Sequence, residues 1–169
     1  MRAGDDAEFS AFVAASARRL LRGAYLITGD LAEAEDLLQT ALERAYRRWS
    51  SIRWRAAREA YVRKIIVTAA VDAARRHRAP STPLDEELLP GQPDVALERI
   101  PGRAALLQLV RELPAGQRAV LVLRYFDDLT EVETARALGC SVGTVKSQHA
   151  RAMARLRELV PDEADWSLR

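Results

Sequence analysis

The chain contains a single cysteine, few aromatic residues and no long apolar run. Because Cys140 has no second cysteine to pair with, an internal disulfide framework is excluded. Aromatic residues make up only 6% of the 169 residues, and glycine and proline are scarce, whereas alanine, leucine and arginine are abundant. This composition favours helices along almost the whole chain. No apolar run approaches the length of a membrane span, and the acidic start MRAGDDAEF lacks the apolar segment of a signal peptide, which predicts a cytoplasmic protein.

The net charge is also small, at +2 at pH 7, although charged residues make up 30% of the chain and the isoelectric point is about 9.0. Average charge therefore does not by itself indicate a nucleic-acid partner. A DNA-binding protein of this composition must concentrate its cations on particular faces.

Proline is concentrated in one segment of the chain. Residues 79–103 hold five of the seven prolines, together with five acidic residues against two arginines. Repeated proline blocks long helices and extends the backbone. We therefore predict an all-α fold of two small helical bundles, at 7–78 and 104–160, joined by a proline-rich acidic linker at 79–103 that has room for one short helix near 94–100.

Apolar residues at helical spacing, together with turn and cap residues, set the expected helices. The second helix begins after Asp30, a good N-cap, and Pro114 suits the first position of a later helix. The expected helices are about 8–27, 30–49 and 56–77 in the first bundle and about 104–112, 114–126, 130–139 and 141–159 in the second. No strand is predicted, and the residues after Pro161 are expected to form a frayed tail.

The last two expected helices have the spacing of a helix-turn-helix. Thr130 and Glu133 form a capping-box pattern at the start of the first of them. Ala135 is small, as required where two helices cross closely, and Gly139 suits the positive φ that ends this helix. Val145 then points back at Ala135. This arrangement allows a second helix to lie across the first and to enter the DNA major groove.

The second helix of this pair, with Ser141 as its N-cap, divides into two faces. Its apolar stripe, which predicts packing, consists of Val142, Val145, His149, Ala152, Leu156 and Leu159. Its other face, which can contact phosphates and base edges, consists of Thr144, Ser147, Gln148, Arg151 and Arg155. The alternative is an amphipathic helix whose basic face is merely solvated. The combined cap, glycine and valine pattern favours DNA binding.

Further motifs resemble those of bacterial sigma factors. Residues 34–46, AEDLLQTALERAY, resemble the AEDLxQxxFxxA(Y/W) motif of the helix that grips the clamp of RNA polymerase. Leu113 opens LPxxQRxVLxLRY and Gly143 opens GTVKS, which are similar to the family's module for the −35 promoter element. Over about 7–160 the chain resembles the extracytoplasmic-function (ECF) group, and is most similar to its SigE-type subgroup. The resemblance implies a protein that binds the polymerase core at its clamp and flap, recognises the −35 and −10 elements and promotes melting.

Carried over onto this sequence, the resemblance implies three sets of functional residues. The set for binding the polymerase core is Glu35, Asp36, Gln39, Glu43 and Arg44. The set for reading and melting the −10 element is Arg53, Trp54, Arg55, Arg58, Tyr61, Arg63, Lys64, Thr68, Arg75 and Arg76. The set for reading the −35 element is Ser141, Thr144, Lys146, Ser147, Gln148, Arg151 and Arg155.

The chemistry of melting agrees with the residue types of the second set. Opening a duplex without an external energy source requires a site that binds unstacked bases more tightly than paired ones. Aromatic faces and cations provide such a site. Trp54, between two arginines in a loop, is the expected stacking residue, whereas Trp49 and Tyr61 are expected to pack in the core. The family usually has Asn where this chain has Thr68 and a bulky residue where it has Ala70, so the base preference at −10 stays open.

The recognition helix and its turn also depart from the family pattern. The family often has Arg at the position of Gln148 and Leu at the position of His149. Gln148 is usual for the SigE-type subgroup and can bond adenine, and His149 is expected to be a partly buried packing residue. Cys140 is expected to pack as a small apolar residue, with a redox sensor as the alternative.

Other functions stay open on the sequence alone. One is a two-domain transcription regulator that binds DNA without polymerase and senses a ligand through its first half, although no strands are predicted for such a sensor. Another is a helical hydrolase with a metal on Glu33, Glu35, Asp36 and Glu43, although no histidine lies nearby. We expect no catalytic residue, metal or cofactor. The linker is either an inert tether or a path through the basic channel of the polymerase, and neither the target promoters nor an anti-sigma partner can be named.

Overall fold

The computed structural model describes residues 3–52, 54–76 and 108–159, and every regular element in these ranges is helical. The first bundle contains α1 (Ala3–Thr28), α2 (Leu31–Arg48) and α3 (Arg55–Arg76). The second bundle contains α4 (Ala115–Leu121), α5 (Glu131–Leu138) and α6 (Val142–Leu159). The predicted all-α fold class is therefore confirmed. Outside the described residues lie the expected linker 79–103, the short helix near 94–100, the first part of the helix over 104–112 and the tail after Pro161.

Trp49 lies at the centre of the first bundle. It belongs to the 3-10 turn Trp49–Ser51 that follows α2, and it is only 1% exposed. The ring centroids of Phe9 and Phe12 on α1 lie 5.0 and 5.2 Å from its own, and the guanidinium carbon of Arg58 lies 4.2 Å from its ring centroid. The predicted core position of Trp49 is confirmed, and the aromatic cluster fixes α1 against the junction of α2 and α3.

Local signals set the helix boundaries of the first bundle. Asp30 caps α2 as predicted, because its carboxylate accepts the N–H of Glu33 at 2.8 Å. Gly29 supplies the positive φ of 81° in the turn before it. α1 begins at Ala3, earlier than expected from the apolar pattern, and Asp5 and Asp6 in its first turn interact favourably with the helix dipole.

α4 continues into a π-helical turn over Val122–Phe126, which agrees with the predicted helix end near Phe126. The turn closes where the N–H of Asp127 donates to the carbonyl of Val122 at 3.1 Å. Asp128 then adopts a φ of 51°, and the N–H of Leu129 donates to the carbonyl of Leu123 at 2.9 Å. A π turn widens the helix locally, and this one carries Asp127 toward the first bundle.

The predicted helix-turn-helix is confirmed. The side chain of Thr130 accepts the N–H of Glu133, while the carboxylate of Glu133 accepts the N–H of Thr130 at 2.8 Å. These hydrogen bonds from Thr130 hold the pKa of Glu133 below its usual value. Gly139 ends α5 with a φ of 66°, and Val145 is 1% exposed where α6 packs on Ala135 of α5.

Replacing Thr130 with alanine is expected to lower the free energy of unfolding by about 1 kcal/mol, because the helix N-terminus loses a side-chain acceptor. Urea titration of the whole chain measures the change, with Val132→Ala on the exposed side of α5 as the control. Because the pKa of Glu133 is depressed in the folded state, the box stabilises at neutral pH and this contribution is lost as the pH falls through that pKa. Equal stability of wild type and Thr130→Ala would contradict the capping role.

The two bundles share an apolar interface, which we call the seam. Its buried residues are Ile27, Val67, Ala70 and Val71 from the first bundle and Ala119, Val122, Leu123 and Ala137 from the second. Gly23 on α1 faces Val122 across this interface, since a Cβ built there would lie 4.0 Å from Cγ1 of Val122, an ordinary van der Waals contact. The sequence predicted two separate bundles, but α3 contacts both α4 and α5. Helical periodicity indicates which side chains of α3 are apolar, but it does not indicate which bundle each of its two apolar sides packs against. The docking of the second bundle was therefore not predicted.

Candidate nucleic-acid interface

α6 presents one continuous polar face to solvent. Thr144, Ser147, Arg151 and Arg155 are exposed and Gln148 is half-buried, while the apolar stripe of the helix faces α4 and α5. The predicted division of this helix into a packing face and a polar face is confirmed. The polar face offers guanidinium, amide and hydroxyl donors, which phosphates and base edges accept.

Two residues of the expected −35 set lie at the edge of this face. Ser141 is at the N-cap, where its Oγ accepts the N–H of Thr144 at 3.1 Å. Lys146 lies on the flank of α6, with its Nζ 3.6 Å from a carboxylate oxygen of Glu131 on α5. Exposed ion pairs of this kind contribute little, so Lys146 can exchange its carboxylate partner for a phosphate at small cost.

The structure brings one residue of the expected −10 set next to one residue of the −35 set. A Cβ built on Gly116, in the first turn of α4, would lie 3.9 Å from Nη2 of Arg75 and 3.9 Å from Cδ of Gln148. Arg75 is exposed at the end of α3, with its Nη1 3.9 Å from a carboxylate oxygen of Asp72. The end of α3 and the polar face of α6 therefore meet at the start of α4.

α2 carries an acidic polar face opposite its packing side. Glu35, Asp36, Gln39 and Glu43 are all exposed, and Nε2 of Gln39 donates to Oε1 of Glu43 at 3.3 Å. The opposite side of the helix buries Ala34, Ala41 and Ala45. Because three of the four polar side chains are carboxylates, this face suits a basic partner.

Arg44 does not belong to that acidic face. It lines a groove of about 480 Å³ between α2 and α3, together with Tyr61, Lys64, Ile65, Thr68, Ala69 and Asp72. The groove combines two cations with one aromatic ring, which are the features that bind a nucleotide through its phosphate and its base. The structure therefore groups Arg44, expected from its motif to contact the polymerase, with three residues of the −10 set. Tyr61, expected to pack in the core, is half-buried: it packs against the core cluster around Trp49 and also lines the groove.

Two arginines of the expected −10 set are held by contacts within the protein. Nη1 of Arg58 bonds Oε2 of Glu8 at 2.7 Å, and its Nε donates to the carbonyl of Ile52 at 2.9 Å. Arg63 is only 8% exposed, and its Nη2 bonds Oε1 of Glu59 at 2.6 Å. In this conformation both guanidinium groups face carboxylates of the chain rather than solvent.

Asp127 of the second bundle reaches Arg63 across the seam. Its Oδ2 lies 3.1 Å from Nε of Arg63, and its Oδ1 lies 3.7 Å from Nη1 of Arg19 on α1. Arg19 and Arg63 also share Glu59, so two cations and two anions form one network. Burial raises the pKa of the Asp127 carboxyl, whereas the charges of Arg63 and Arg19 act to lower it.

Of the remaining residues of the −10 set, Trp54 and Arg76 lie near the two ends of α3. Trp54, just before α3, is 75% exposed, so its ring is accessible to solvent, and its expected stacking role stays a prediction. Arg76 is exposed at the other end of the helix. Arg53 and the side chain of Arg55 lie outside the described residues.

His149 and Cys140 both have packing partners. Nε2 of His149 lies 2.7 Å from the hydroxyl of Tyr125, and the two rings stack with centroids 5.7 Å apart. Cys140 packs against the cluster formed by Ala135 and Val145. The predictions that His149 is a partly buried packing residue and that Cys140 packs are confirmed, although the sequence did not indicate Tyr125 as the histidine's partner.

Among residues 3–52, 54–76 and 108–159, no helix is long and apolar enough to cross a membrane. The same residues contain no group of three or more histidine, cysteine, aspartate or glutamate side chains that could hold a metal ion. The carboxylates of Glu35, Asp36 and Glu43 are instead exposed along α2.

Comparison with known proteins matches each of the two bundles to a protein family. The family Sigma-70 region 2 matches residues 12–79, and the family Sigma-70, region 4 matches residues 103–156. The RNA polymerase sigma-E factor of Streptomyces coelicolor is 40% identical over 156 residues, which cover 92% of this chain and 87% of that protein. The ECF RNA polymerase sigma factor SigM of Mycobacterium tuberculosis is 36% identical over 159 residues, covering 94% and 80%. The chain belongs to the ECF sigma factors of bacterial RNA polymerase.

Two solved structures share the fold of this sigma factor. The structure of CnrH in complex with the cytosolic domain of CnrY has a TM-score of 0.64 and 23% identity, covering 92% of this chain and 89% of that one. RpoE of Bartonella quintana, solved with the anti-sigma factor NepR, has a TM-score of 0.61 and 22% identity, covering 94% and 98%. At these identities the likeness extends to the fold alone.

Motif analysis of the sigma factor missed the charged network at the seam. Arg19, Glu59 and Asp127 belong to none of the motifs quoted above, although Asp127 lies two residues after the end of one of them. Their pairing depends on how α1, α3 and the π turn come together. The only sequence feature that could have predicted this network is the presence of opposite charges. A single sequence does not indicate which distant charges pair with each other.

Proposed function

We propose that this sigma factor is the promoter-specificity subunit of RNA polymerase and acts in the cytoplasm, where the polymerase and the chromosome are. In this proposal the acidic face of α2 binds the clamp, and the second bundle contacts the flap. The polar face of α6 reads the −35 element, and the groove between α2 and α3 holds the −10 element. One observation supports the proposal most directly. In this member of the family the exposed acidic face of α2 is separate from two surfaces that carry cations, the polar face of α6 and the groove between α2 and α3.

Melting of the −10 element is assigned to Trp54 and to the groove. Trp54, 75% exposed, offers a face on which an unstacked base can lie. Arg44 and Lys64 provide cations for the backbone, and Tyr61 provides an aromatic surface beside them. Stacking on an aromatic side chain is worth about 1–3 kcal/mol per base, and extruding a base costs a few kcal/mol. The two magnitudes are comparable, so captured bases offset most of the cost of opening.

Each bundle by itself offers few phosphate contacts, and affinity for DNA depends on the number of phosphates that are neutralised. Strong binding therefore requires both bundles to be held on one polymerase. The chain between them then sets the effective concentration at which the second bundle meets its element once the first has bound.

Reconstitution with purified polymerase core tests the proposed function directly. Run-off transcription on genomic fragments, with core alone as the control, is expected to give new start sites when the sigma factor is added. Unchanged start sites would contradict the proposal. Footprinting of DNA by the protein without core would instead favour the regulator that acts without polymerase, which no feature of the described structure supports.

Charge reversal at Asp36 is expected to weaken binding to the polymerase core by about tenfold or more, because a cation in a basic contact introduces repulsion as well as losing attraction. Asp36 is exposed on α2, so the substitution leaves the bundle core unchanged. Core titration with a fluorescent sigma factor measures the affinity. Glu112→Arg makes the same charge change on an exposed residue of the other bundle and is the matched control. Equal affinities of the two variants would remove the acidic face from the polymerase interface.

Truncation of Arg151 to alanine is expected to weaken holoenzyme binding to the −35 element by about 1–3 kcal/mol. Gel-shift titrations on the native promoter and on one with a scrambled −35 element measure the effect. Arg157→Ala, which removes an exposed arginine from another side of α6, is the matched control and should leave both affinities unchanged. Equal losses for Arg151→Ala on the two promoters would show that Arg151 contacts only phosphate.

An anti-sigma factor completes the set of proposed partners. CnrH and RpoE were solved as complexes with CnrY and with the anti-sigma factor NepR. We extend the proposal to a protein inhibitor of this kind, which would compete with core for the exposed faces of the two bundles. Addition of such a protein should release core from the sigma factor, and formation of a stable ternary complex would argue against competition.

A further inference from the structure

Arg58 holds the loop that carries Trp54 at two points. The Nε of Arg58 donates to the carbonyl of Ile52 at 2.9 Å, and its backbone N–H donates to the carbonyl of Trp54 at 3.0 Å. The ring of Trp54 nevertheless projects from the loop and is 75% exposed. Arg58 therefore fixes the backbone of the loop and leaves the indole ring free.

Arg58 is itself held by α1 and by the core of the first bundle. Its Nη1 lies 2.7 Å from Oε2 of Glu8 on α1, and its guanidinium carbon lies 4.2 Å from the ring centroid of Trp49. The side chain of Arg58 is only 14% exposed, whereas that of Glu8 is 60% exposed. A phosphate oxygen would have to displace Glu8 to reach Nη1. The contacts of Arg58 are thus those of a residue that organises the loop.

We propose that Arg58 is a positioning residue for promoter melting, which fixes the loop of Trp54, and that Glu8 in turn orients Arg58. The inference rests on the function proposed above, in which Trp54 stacks on an unpaired base. It replaces the DNA contact that the family resemblance implies for Arg58 with a contact inside the protein. Ordering a loop on binding costs conformational entropy, so a loop that is fixed beforehand captures a base at smaller cost.

Removal of Glu8 separates the two roles of Arg58, because they predict opposite effects. Glu8→Ala loosens a positioning arginine and is expected to slow melting about threefold, as for loss of a partly exposed ion pair. An arginine that binds phosphate would instead be freed by the same change, and melting would be faster. Stopped-flow fluorescence of 2-aminopurine in the −10 element, with holoenzyme, measures the rate. Glu112→Ala on the other bundle is the matched control, and a Glu8→Ala rate equal to or above that of the control would overturn the proposal.

Replacement of Arg58 with lysine gives a second discrimination. Lysine keeps the positive charge but lacks the fork that joins Glu8 to the carbonyl of Ile52. Arg58→Lys and Arg58→Ala are therefore both expected to slow melting about tenfold, within the range for loss of one stacked base. Neither should change the salt dependence of promoter affinity. Full activity of Arg58→Lys, or a log–log salt slope smaller by about one unit in Arg58→Ala, would identify a phosphate contact and overturn the proposal.

A double-mutant cycle tests whether Arg58 acts through Trp54. In a Trp54→Ala background, Arg58→Ala is expected to slow melting by less than about twofold, because the side chain that the loop presents is already gone. General damage to the first bundle would cause the same loss in both backgrounds, and that result would overturn the proposal. Affinity for polymerase core reports on folding of each variant. If Arg58→Ala lowers that affinity, Glu8→Ala takes its place in the cycle, since Glu8 is largely exposed.

The outcomes also separate this inference from the proposed function. Failure of the wild-type holoenzyme to melt a promoter would overturn the proposed function. Equal melting rates of wild type and Trp54→Ala would remove Trp54 from melting, and the inference about Arg58 with it. Slow melting by Trp54→Ala together with an undiminished effect of Arg58→Ala in that background would overturn the positioning role alone.

Discussion

Replacement of Trp49 with alanine is expected to lower the free energy of unfolding by about 3–5 kcal/mol, a loss typical of a large buried aromatic residue. Trp49 is 1% exposed and makes ring contacts with Phe9 and Phe12. Its removal also deprives Arg58 of the ring over which its guanidinium lies. The three helices of the first bundle meet at this residue, so the cavity cannot close by movement of one side chain.

Chemical denaturation followed by far-ultraviolet circular dichroism measures this loss for the whole chain. The indole N–H of Trp49 has no hydrogen-bond partner among the described residues, so the expected effect is one of packing. Trp54→Ala is the matched control, since Trp54 is 75% exposed and its truncation should change the stability by less than about 0.5 kcal/mol. Similar stabilities of the two variants would contradict the assignment of Trp49 to the core.

Replacement of Val145 with aspartate is expected to unfold the helix-turn-helix and to abolish −35-dependent transcription. Val145 is 1% exposed and packs with Val120 and Ala135, where α6 crosses the other helices of its bundle. The cluster offers no cation to pair with a new carboxylate. Burying an unpaired charge costs several kcal/mol, which is a large part of the stability of a small bundle.

Two measurements separate the bundles in this variant. Transcription from a promoter with a −35 element should be lost, while binding to the polymerase core through α2 should persist, because the core around Trp49 is untouched. Ala150→Asp introduces the same side chain on an exposed position of α6 and is the matched control. Retention of −35 recognition by Val145→Asp would show that the crossing of α5 and α6 does not depend on this contact.

The sequence was sufficient for features that depend on neighbours a few residues apart. The box of Thr130 and Glu133, the left-handed Gly139 and the cap by Asp30 are confirmed, because each is a contact within one turn of the chain. The two faces of α6 are confirmed for a related reason, since helical periodicity fixes which side chains share a face. Predictions of this kind do not depend on how the helices pack against one another.

Tertiary structure alone decided the roles that depend on which helices meet. Arg44 shares a motif with the acidic residues of α2, yet it lies in the groove with Tyr61 and Lys64, because the helix turns its side chain toward α3. Arg63 is one of several arginines in its stretch of sequence, and its distinction comes from Asp127, which lies far away along the chain. The ion-pair partner of a charged residue cannot be read from the sequence, because packing determines which residues lie beside it.

Residue by residue, then, the sequence by itself determined the helices, their caps and the face that each helix turns outward, because those follow from backbone hydrogen bonding and spacing along one chain. Only the tertiary structure decided that α3 is buried on two sides and that the second bundle docks against α1 and α3. The physical reason is that docking depends on shape and charge summed over distant segments, and neither of these has a period in the sequence.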